Sequence, residues 1–196
     1  MSALPNRRHY GERTRLLALA LIGAGLLLVG FVGLIALHNA AASVVPAKQT
    51  TGGIPAQLDF PAPDLRLTDL AGQEVSLADN LDQYVLVNNW ATWCPPCRAE
   101  MPILEAYYSD HRDQGFTLIA IESGESLAEV AAFVEKFDIS FPVWLDPGGQ
   151  ALRGFYNNAL PSSYLIDPEG TVILGWSGAI TQAVLENHVT PLLNQE

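Results

Sequence analysis

The hydropathy pattern begins with one uninterrupted apolar run near the N-terminus. Residues 16–37 read LLALALIGAGLLLVGFVGLIAL, without a charged side chain. As a helix rising about 1.5 Å per residue, this run would be about 33 Å long, close to the roughly 30 Å hydrocarbon core of a membrane. The pattern predicts a single transmembrane helix over residues 16–37.

The charges that flank this run predict its direction. Residues 1–15 carry four arginines, whereas Lys48 is the only basic residue between positions 38 and 57. Basic segments stay in the cytoplasm, so we predict a cytoplasmic basic tail over residues 1–15 and a domain outside the bacterial cytoplasmic membrane. A cleavable signal peptide is the alternative, with residues 40–42 as a small-residue cleavage site. The apolar run exceeds the roughly 7–15 residues of a signal peptide and favours an uncleaved signal-anchor.

Polar and small side chains then replace the apolar ones. Residues 38–57 read HNAAASVVPAKQTTGGIPAQ, with two glycines and two prolines. Such a segment buries too little apolar surface to fold and is predicted to be a flexible tether. The remaining residues, 58–196, are predicted to form one folded domain.

Within this domain the apolar pattern alternates between strand-like and helix-like segments. Short apolar, β-branched runs predict strands at 84–87, 116–121, 141–145, 162–166 and 171–176. Residues 64–70 and 73–77 predict a hairpin around a Gly turn, Ser126 with Glu129 predicts a capping box that begins a helix, and residues 180–193 predict a final amphipathic helix. This order predicts an α/β fold, a mixed central sheet flanked by helices with an N-terminal hairpin extension.

The charge balance narrows the possible partners. The formal net charge is −11, and from residue 54 onward there are 5 basic against 20 acidic side chains. Nucleic acid and anionic membrane surfaces would repel such a domain, so nucleic-acid binding is excluded.

The chain has two cysteines, Cys94 and Cys97. A disulfide-stapled scaffold needs more cysteines, and a structural zinc site needs two further ligands that the scattered histidines do not supply. We therefore predict neither a metal nor a cofactor. The histidines are His9, His38, His111 and His188.

The cysteine spacing instead predicts redox chemistry. The pair follows a predicted buried strand and begins a helical pattern, where free N–H groups and the helix dipole favour a thiolate. Cys94 is the expected nucleophile, and Cys97, one turn further, is expected to resolve the mixed disulfide. Two unreactive core thiols are the alternative, which Trp93 and the two intervening prolines disfavour.

Residues 85–105, VLVNNWATWCPPCRAEMPILE, resemble the active-site stretch of membrane-anchored thioredoxin-like proteins of the TlpA and ResA type. The resemblance implies a thioredoxin-like fold and protein-disulfide reductase activity with Cys94 and Cys97 as the redox-active disulfide. It also implies disulfides of exported proteins as substrates. In the family this often means keeping the haem-attachment thiols of apocytochrome c reduced. A transmembrane thiol transporter would then be the electron donor.

The same resemblance assigns further site residues. Glu100 matches an acidic residue that tunes the dithiol, and a carboxylate there could relay a proton, which adds it to the catalytic residues. Trp93 resembles the tryptophan beside the dithiol. Leu160 and Pro161 resemble the loop whose cis-proline faces the dithiol, with the Leu160 backbone free to pair with an extended substrate.

Two asparagines depart from related sequences. Asn88 stands where thioredoxin itself has a buried aspartate, a substitution usual in the TlpA-like branch. Asn89 stands where the family generally has phenylalanine, so its side chain must be hydrogen-bonded or exposed.

Other functions remain open at this point. A periplasmic disulfide oxidase would use the same residues and differ in reduction potential. A copper-binding chaperone would use the cysteines as ligands, although copper proteins of similar fold add a histidine and a longer Cys spacing. A peroxidase is weaker, since the residues before Cys94 do not resemble the peroxiredoxin motif.

Overall fold

The computed structural model of the chain describes residues 53–194. Its strands are β1 (Ala56–Pro61), β2 (Arg66–Asp69), β3 (Glu74–Ser76), β4 (Tyr84–Trp90), β5 (Phe116–Glu122), β6 (Val143–Leu145), β7 (Ser162–Ile166) and β8 (Thr171–Ser177). Its helices are α1 (Pro95–His111), α2 (Leu127–Phe137), α3 (Gln150–Gly154), α4 (Gln182–His188) and α5 (Thr190–Leu193), with a short 3-10 helix at Leu77–Asn80.

The strands form one mixed sheet in the order β1-β8-β7-β4-β5-β6-β2-β3. At its centre β4 pairs with β5 in parallel, Val87 opposite Ile119, and with β7 antiparallel, Val87 opposite Tyr164. Every residue of β5 is buried, as its continuous apolar run predicts for a strand covered on both faces. The predicted mixed α/β sheet is therefore confirmed.

Alternation along β4 divides the core into two layers. Leu86 and Trp90 face a layer that includes Met101 and Leu104 of α1. Val85 and Val87 face a second layer that includes Leu77 and Ala151 of α3. Because successive strand residues point to opposite faces, Asn88 and Asn89 lie on opposite sides of the sheet.

The capping box predicted for α2 is present. The hydroxyl of Ser126 accepts the N–H of Glu129, and the Glu129 carboxylate accepts the N–H of Ser126 at 3.1 Å. The predicted continuous helix over 180–193 is wrong: α4 ends at His188 and α5 begins at Thr190. Pro191 explains the break, because a proline lacks the N–H of a continuing helix and restricts the residue before it.

The start of the domain also differs from the sequence expectation. Ala56 and Gln57, the last residues of the predicted tether, already belong to β1, which pairs antiparallel with β8. The segments expected to form a hairpin become β2 and β3, which pair antiparallel, and β2 also pairs with β6. They therefore form one edge of the main sheet. The short helix α3 was not predicted.

None of the helices between residues 53 and 194 is long and apolar enough to cross a membrane. The predicted basic tail (1–15), the predicted transmembrane helix (16–37) and residues 38–52 of the predicted tether lie outside the described residues.

Candidate active site

The cysteine pair lies at the junction of the central strand and the first helix. β4 ends at Trp90, and Cys94 is the N-cap of α1 with an extended backbone conformation. Cys94 and Cys97 are joined by a disulfide, with their Cα atoms 5.3 Å apart. Cys97 is fully buried, and Cys94 is the member of the pair that borders the surface groove described below.

The sequence of the first helical turn directs its first free N–H group to the sulfur of Cys94. Pro95 and Pro96 have no N–H, so the first N–H of α1 is that of Cys97, and it donates to the Sγ atom of Cys94 at 3.3 Å. The dipole of this 17-residue helix acts in the same direction. When the disulfide is reduced, both favour a thiolate on Cys94.

A shallow groove runs past Cys94 on the protein surface. Its lining residues are Trp93, Cys94, Pro95, Pro96, Ser123, Leu152, Asn158 and Leu160. Trp93 is 64% exposed despite its size, which is unusual for tryptophan. The structure thus brings three of the predicted site residues, Trp93, Cys94 and Leu160, into one groove.

The Leu160–Pro161 peptide bond is cis, as the family resemblance implied. The carbonyl of Pro161 accepts the N–H of Gly178 at 2.8 Å, and the next residues begin β7. Since β7 pairs with β4, the loop is held beside the strand that leads to Cys94.

Glu100 lies inside the protein, on α1 three residues after Cys97. Its side chain is 1% exposed, its Oε1 accepts from Asn88 Nδ2 at 2.9 Å, and its Oε2 accepts from the N–H of Ile180 at 2.7 Å. Burial raises the pKa of Glu100 to about 7, against the lowering effect of these two hydrogen bonds. Residues three apart share one helix face, so a carboxyl group able to exchange protons near neutral pH lies next to Cys97.

Both departures from the family pattern are buried. Asn88 Nδ2 donates a second bond to Ser163 Oγ at 3.0 Å, and Asn89 Nδ2 donates to Ser162 Oγ at 3.4 Å. Asn89 is therefore hydrogen-bonded inside the sheet rather than exposed. Among the described residues, neither asparagine Oδ1 has a hydrogen-bond partner.

A carboxylate pair behind the active-site loop was missed by the sequence reasoning. Glu125 accepts the backbone N–H of Thr92 at 2.6 Å and also its hydroxyl. The buried Glu122 accepts the N–H of Glu125 at 3.1 Å, and burial raises its pKa to about 7. Glu122 is the last residue of β5 and Glu125 follows it, at the same end of the sheet at which β4 leads to the dithiol, and that placement was the available signal.

A copper site built on Cys94 and Cys97 would need a histidine close to them. The histidine on α1, His111, does not meet this need. His111 lies in the last turn of this helix, about 24 Å along the axis from its start, and stacks on Tyr107.

Comparisons with known proteins agree with this geometry. The model of the AhpC/TSA family matches residues 59–174. The thiol-disulfide oxidoreductase ResA of Bacillus thuringiensis subsp. konkukian is 37% identical over 128 residues, which cover 65% of this chain and 74% of that protein. ResA of Bacillus subtilis is 34% identical over 128 residues, 65% of this chain and 72% of that protein.

Solved structures show the same fold. A putative thiol:disulfide interchange protein DsbE from Chlorobium tepidum superimposes with a TM-score of 0.65 at 29% identity, covering 71% of this chain and 99% of that one. The thioredoxin domain of a thiol-disulfide oxidoreductase from Bacteroides vulgatus gives 0.64 at 27% identity, covering 71% and 99%. The thioredoxin-like fold is thereby confirmed.

Proposed function

The chain belongs to the AhpC/TSA family as a relative of the ResA thiol–disulfide oxidoreductases, and from this premise we propose that it reduces disulfides in exported proteins. Thiol–disulfide exchange is the activity that the relatives and the Cys94–Cys97 pair support. The observation that carries the proposal is Cys94 at the start of α1, beside the groove of Trp93 and Leu160.

The reaction proceeds in two exchanges. The Cys94 thiolate attacks one sulfur of the partner disulfide, forms a mixed disulfide and releases the partner's other sulfur as a thiolate. The Cys97 thiolate then attacks Cys94 Sγ and displaces the partner's remaining sulfur. The partner gains two electrons and takes two protons, while the chain is left with the Cys94–Cys97 disulfide.

Glu100 is the proposed proton acceptor for the second exchange. Cys97 is fully buried and must lose its proton before it can attack. The carboxylate of Glu100, with a pKa of about 7, can take that proton near neutral pH and later release it to solvent.

The substrate is proposed to bind as an extended segment along the Leu160–Pro161 loop. Among the residues that the structure describes, none hydrogen-bonds to the backbone N–H of Leu160, which leaves this donor for a partner peptide. Trp93 offers an exposed apolar surface beside the attacking sulfur. Main-chain pairing of this kind supplies affinity without demanding one sequence.

A Cys97→Ala variant tests the exchange in cells. It should accumulate mixed disulfides with exported proteins, because the second exchange is blocked, and mass spectrometry would identify the partners. The matched Cys94→Ala variant should capture none. Equal capture by both variants, or capture of cytoplasmic proteins alone, would contradict the proposal.

Residues 16–37 are proposed to anchor the chain in the cytoplasmic membrane, with residues 1–15 in the cytoplasm and the domain on the periplasmic side. The uncharged run and the arginines before it support this placement. Tethering would raise the effective concentration of partners at the same membrane, including the transmembrane thiol donor. Protease added to spheroplasts should digest the domain, and mass analysis should find the N-terminus retained. A mature chain that begins near Ser43 would contradict an uncleaved anchor.

Apocytochrome c is the proposed substrate, on the basis of the resemblance to proteins of the TlpA and ResA type. A strain without this chain should then fail to assemble c-type cytochromes, and an added thiol reductant should restore assembly. Normal assembly in that strain would remove this substrate and leave the reduction of other exported proteins in place.

A further inference from the structure

The side-chain amide of Asn88 forms hydrogen bonds through its nitrogen but not through its oxygen. Its Nδ2 donates to Glu100 Oε1 at 2.9 Å and to Ser163 Oγ at 3.0 Å, so both amide protons are engaged. Its Oδ1 is buried and has no partner among the described residues. An unpaired buried carbonyl is costly, which calls for a reason to retain it next to a reactive centre.

The two oxygens of Glu100 are not equivalent toward a proton. Oε2 faces the backbone N–H of Ile180 at 2.7 Å, and a backbone N–H can only donate. The N–H of Ile180 therefore cannot accept a hydrogen bond from a protonated Glu100. Asn88, which faces Oε1, can turn an acceptor toward a proton on that oxygen.

Asn88 can accept that proton's hydrogen bond by rotating. A turn of about 180° at the end of the side chain exchanges the positions of Nδ2 and Oδ1, and this torsion is soft in asparagine. Oδ1 then accepts from the protonated Oε1, while the two protons of Nδ2 leave Oε1 and Ser163 Oγ and move to the buried position that Oδ1 held. The hydroxyl of Ser163 both donates and accepts, so its bond to Asn88 survives the reversal.

The surroundings of Glu100 leave Asn88 as the group that can respond. β4 contributes Asn88, the segment before α4 contributes the Ile180 N–H, and α1 contributes Cys97, which titrates only when the disulfide is reduced. The pKa of Glu100 is set by burial and by these two hydrogen bonds, with no charged side chain among its causes.

We propose that Asn88 is a positioning residue whose side-chain amide reverses when Glu100 takes up a proton on Oε1. One side chain thus serves the carboxylate with a donor and the carboxylic acid with an acceptor, and the unpartnered Oδ1 is the acceptor held for the second state. The inference rests on the proposed role of Glu100 as the proton carrier. Ser163 lies two residues after Pro161, so the reversal also reaches the strand that follows the substrate loop.

Isotope-edited infrared spectroscopy of the oxidised full-length chain tests the reversal. With the asparagine side-chain carbonyl carbons labelled, lowering the pH through about 7 should produce the carboxylic acid band of Glu100. One asparagine carbonyl band should move to lower wavenumber with the same midpoint, because Oδ1 gains a hydrogen bond. Glu100→Gln should remove the acid band of Glu100 and the moving asparagine band and leave the acid band of Glu122, whereas Asn88→Leu should remove the moving band and keep both acid bands.

Asn89 is the internal control. It is equally buried, its Oδ1 is also unpartnered among the described residues, and its bond goes to Ser162 rather than to a carboxyl group. Its carbonyl band should stay fixed over the same pH range. If the Glu100 acid band titrates while every asparagine band stays fixed, the proposed reversal of Asn88 is wrong, and the proposed role of Glu100 as proton acceptor is unaffected. If no acid band is lost in Glu100→Gln, the proton carrier is wrong and the reversal falls with it.

Discussion

Replacing Glu100 by glutamine should make the oxidised protein more stable at alkaline pH. Glu100 has a pKa of about 7 in the folded chain, above its ordinary value of 4.5. Between these two pH values the folded state holds more protons than the unfolded state, so the free energy of unfolding falls as the pH rises. At 1.36 kcal/mol for each pH unit, the loss is about 3 kcal/mol once the pH exceeds 7.

Glutamine removes this loss without changing the shape of the side chain. It can still accept from the N–H of Ile180, and a reversed Asn88 can accept from its amide. The unfolding free energy of Glu100→Gln should therefore be less dependent on pH between 5 and 8 than that of the wild type. Glu122, whose pKa burial also raises, keeps its own contribution in both proteins and cancels in the comparison.

Urea unfolding followed by tryptophan fluorescence at a series of pH values measures this difference. The chain has four tryptophans, and all lie between residues 90 and 176, so the signal reports the folded domain within the full-length chain. Glu74→Gln is the control, because Glu74 is an exposed carboxylate at the sheet edge. A pH dependence that is the same in Glu100→Gln as in the wild type would refute the buried-carboxylate reasoning.

Three further predictions concern the cysteine pair, the bond between Thr92 and Glu125, and the capping box of α2. In the reduced chain Cys94 should be alkylated faster than Cys97 at every pH from 5 to 9, and equal rates would count against Cys94 as the nucleophile. Thr92→Val removes the hydroxyl bond to Glu125 and should cost about 1 kcal/mol in urea unfolding and slow mixed-disulfide formation, while Thr92→Ser should restore both. Ser126→Ala should cost about 1 kcal/mol with unchanged disulfide exchange, and unchanged stability would contradict the capping box.

The sequence predicted best the elements whose patterns are decided locally. The continuous apolar run of β5 and the capping box of α2 specify a buried strand and a helix start without reference to the rest of the chain. β1 was missed because it is an edge strand with exposed Asp59 and Pro61, so its polar pattern resembles a tether. The break between α4 and α5 carried a local signal in Pro191, which the amphipathic spacing obscured.

The site divides in the same way. Cys94, Cys97 and Glu100 lie within seven residues of one helix start, so the motif identified them together. The cis bond at Pro161 came from the resemblance alone, since cis is a minority state for X–Pro bonds. The bond between Thr92 and Glu125 joins residues 33 apart, and the burial of Asn89 depends on β7, so neither could be derived from local spacing.

The reduction potential tests the central claim most directly, because reductase and oxidase use the same residues. A carboxylate at Glu100 beside the dithiol disfavours thiolates, because two negative charges repel each other. DsbA is a strong oxidant because its reduced form is stabilised, and the reduced form of this chain would lack such stabilisation. The full-length chain would be equilibrated with thiol buffers of defined potential, and the reduced fraction of Cys94 and Cys97 would be counted by alkylation and mass analysis. Reductase function predicts a potential close to the roughly −270 mV of thioredoxin, about 7 kcal/mol more reducing than DsbA. A value near about −120 mV would contradict it.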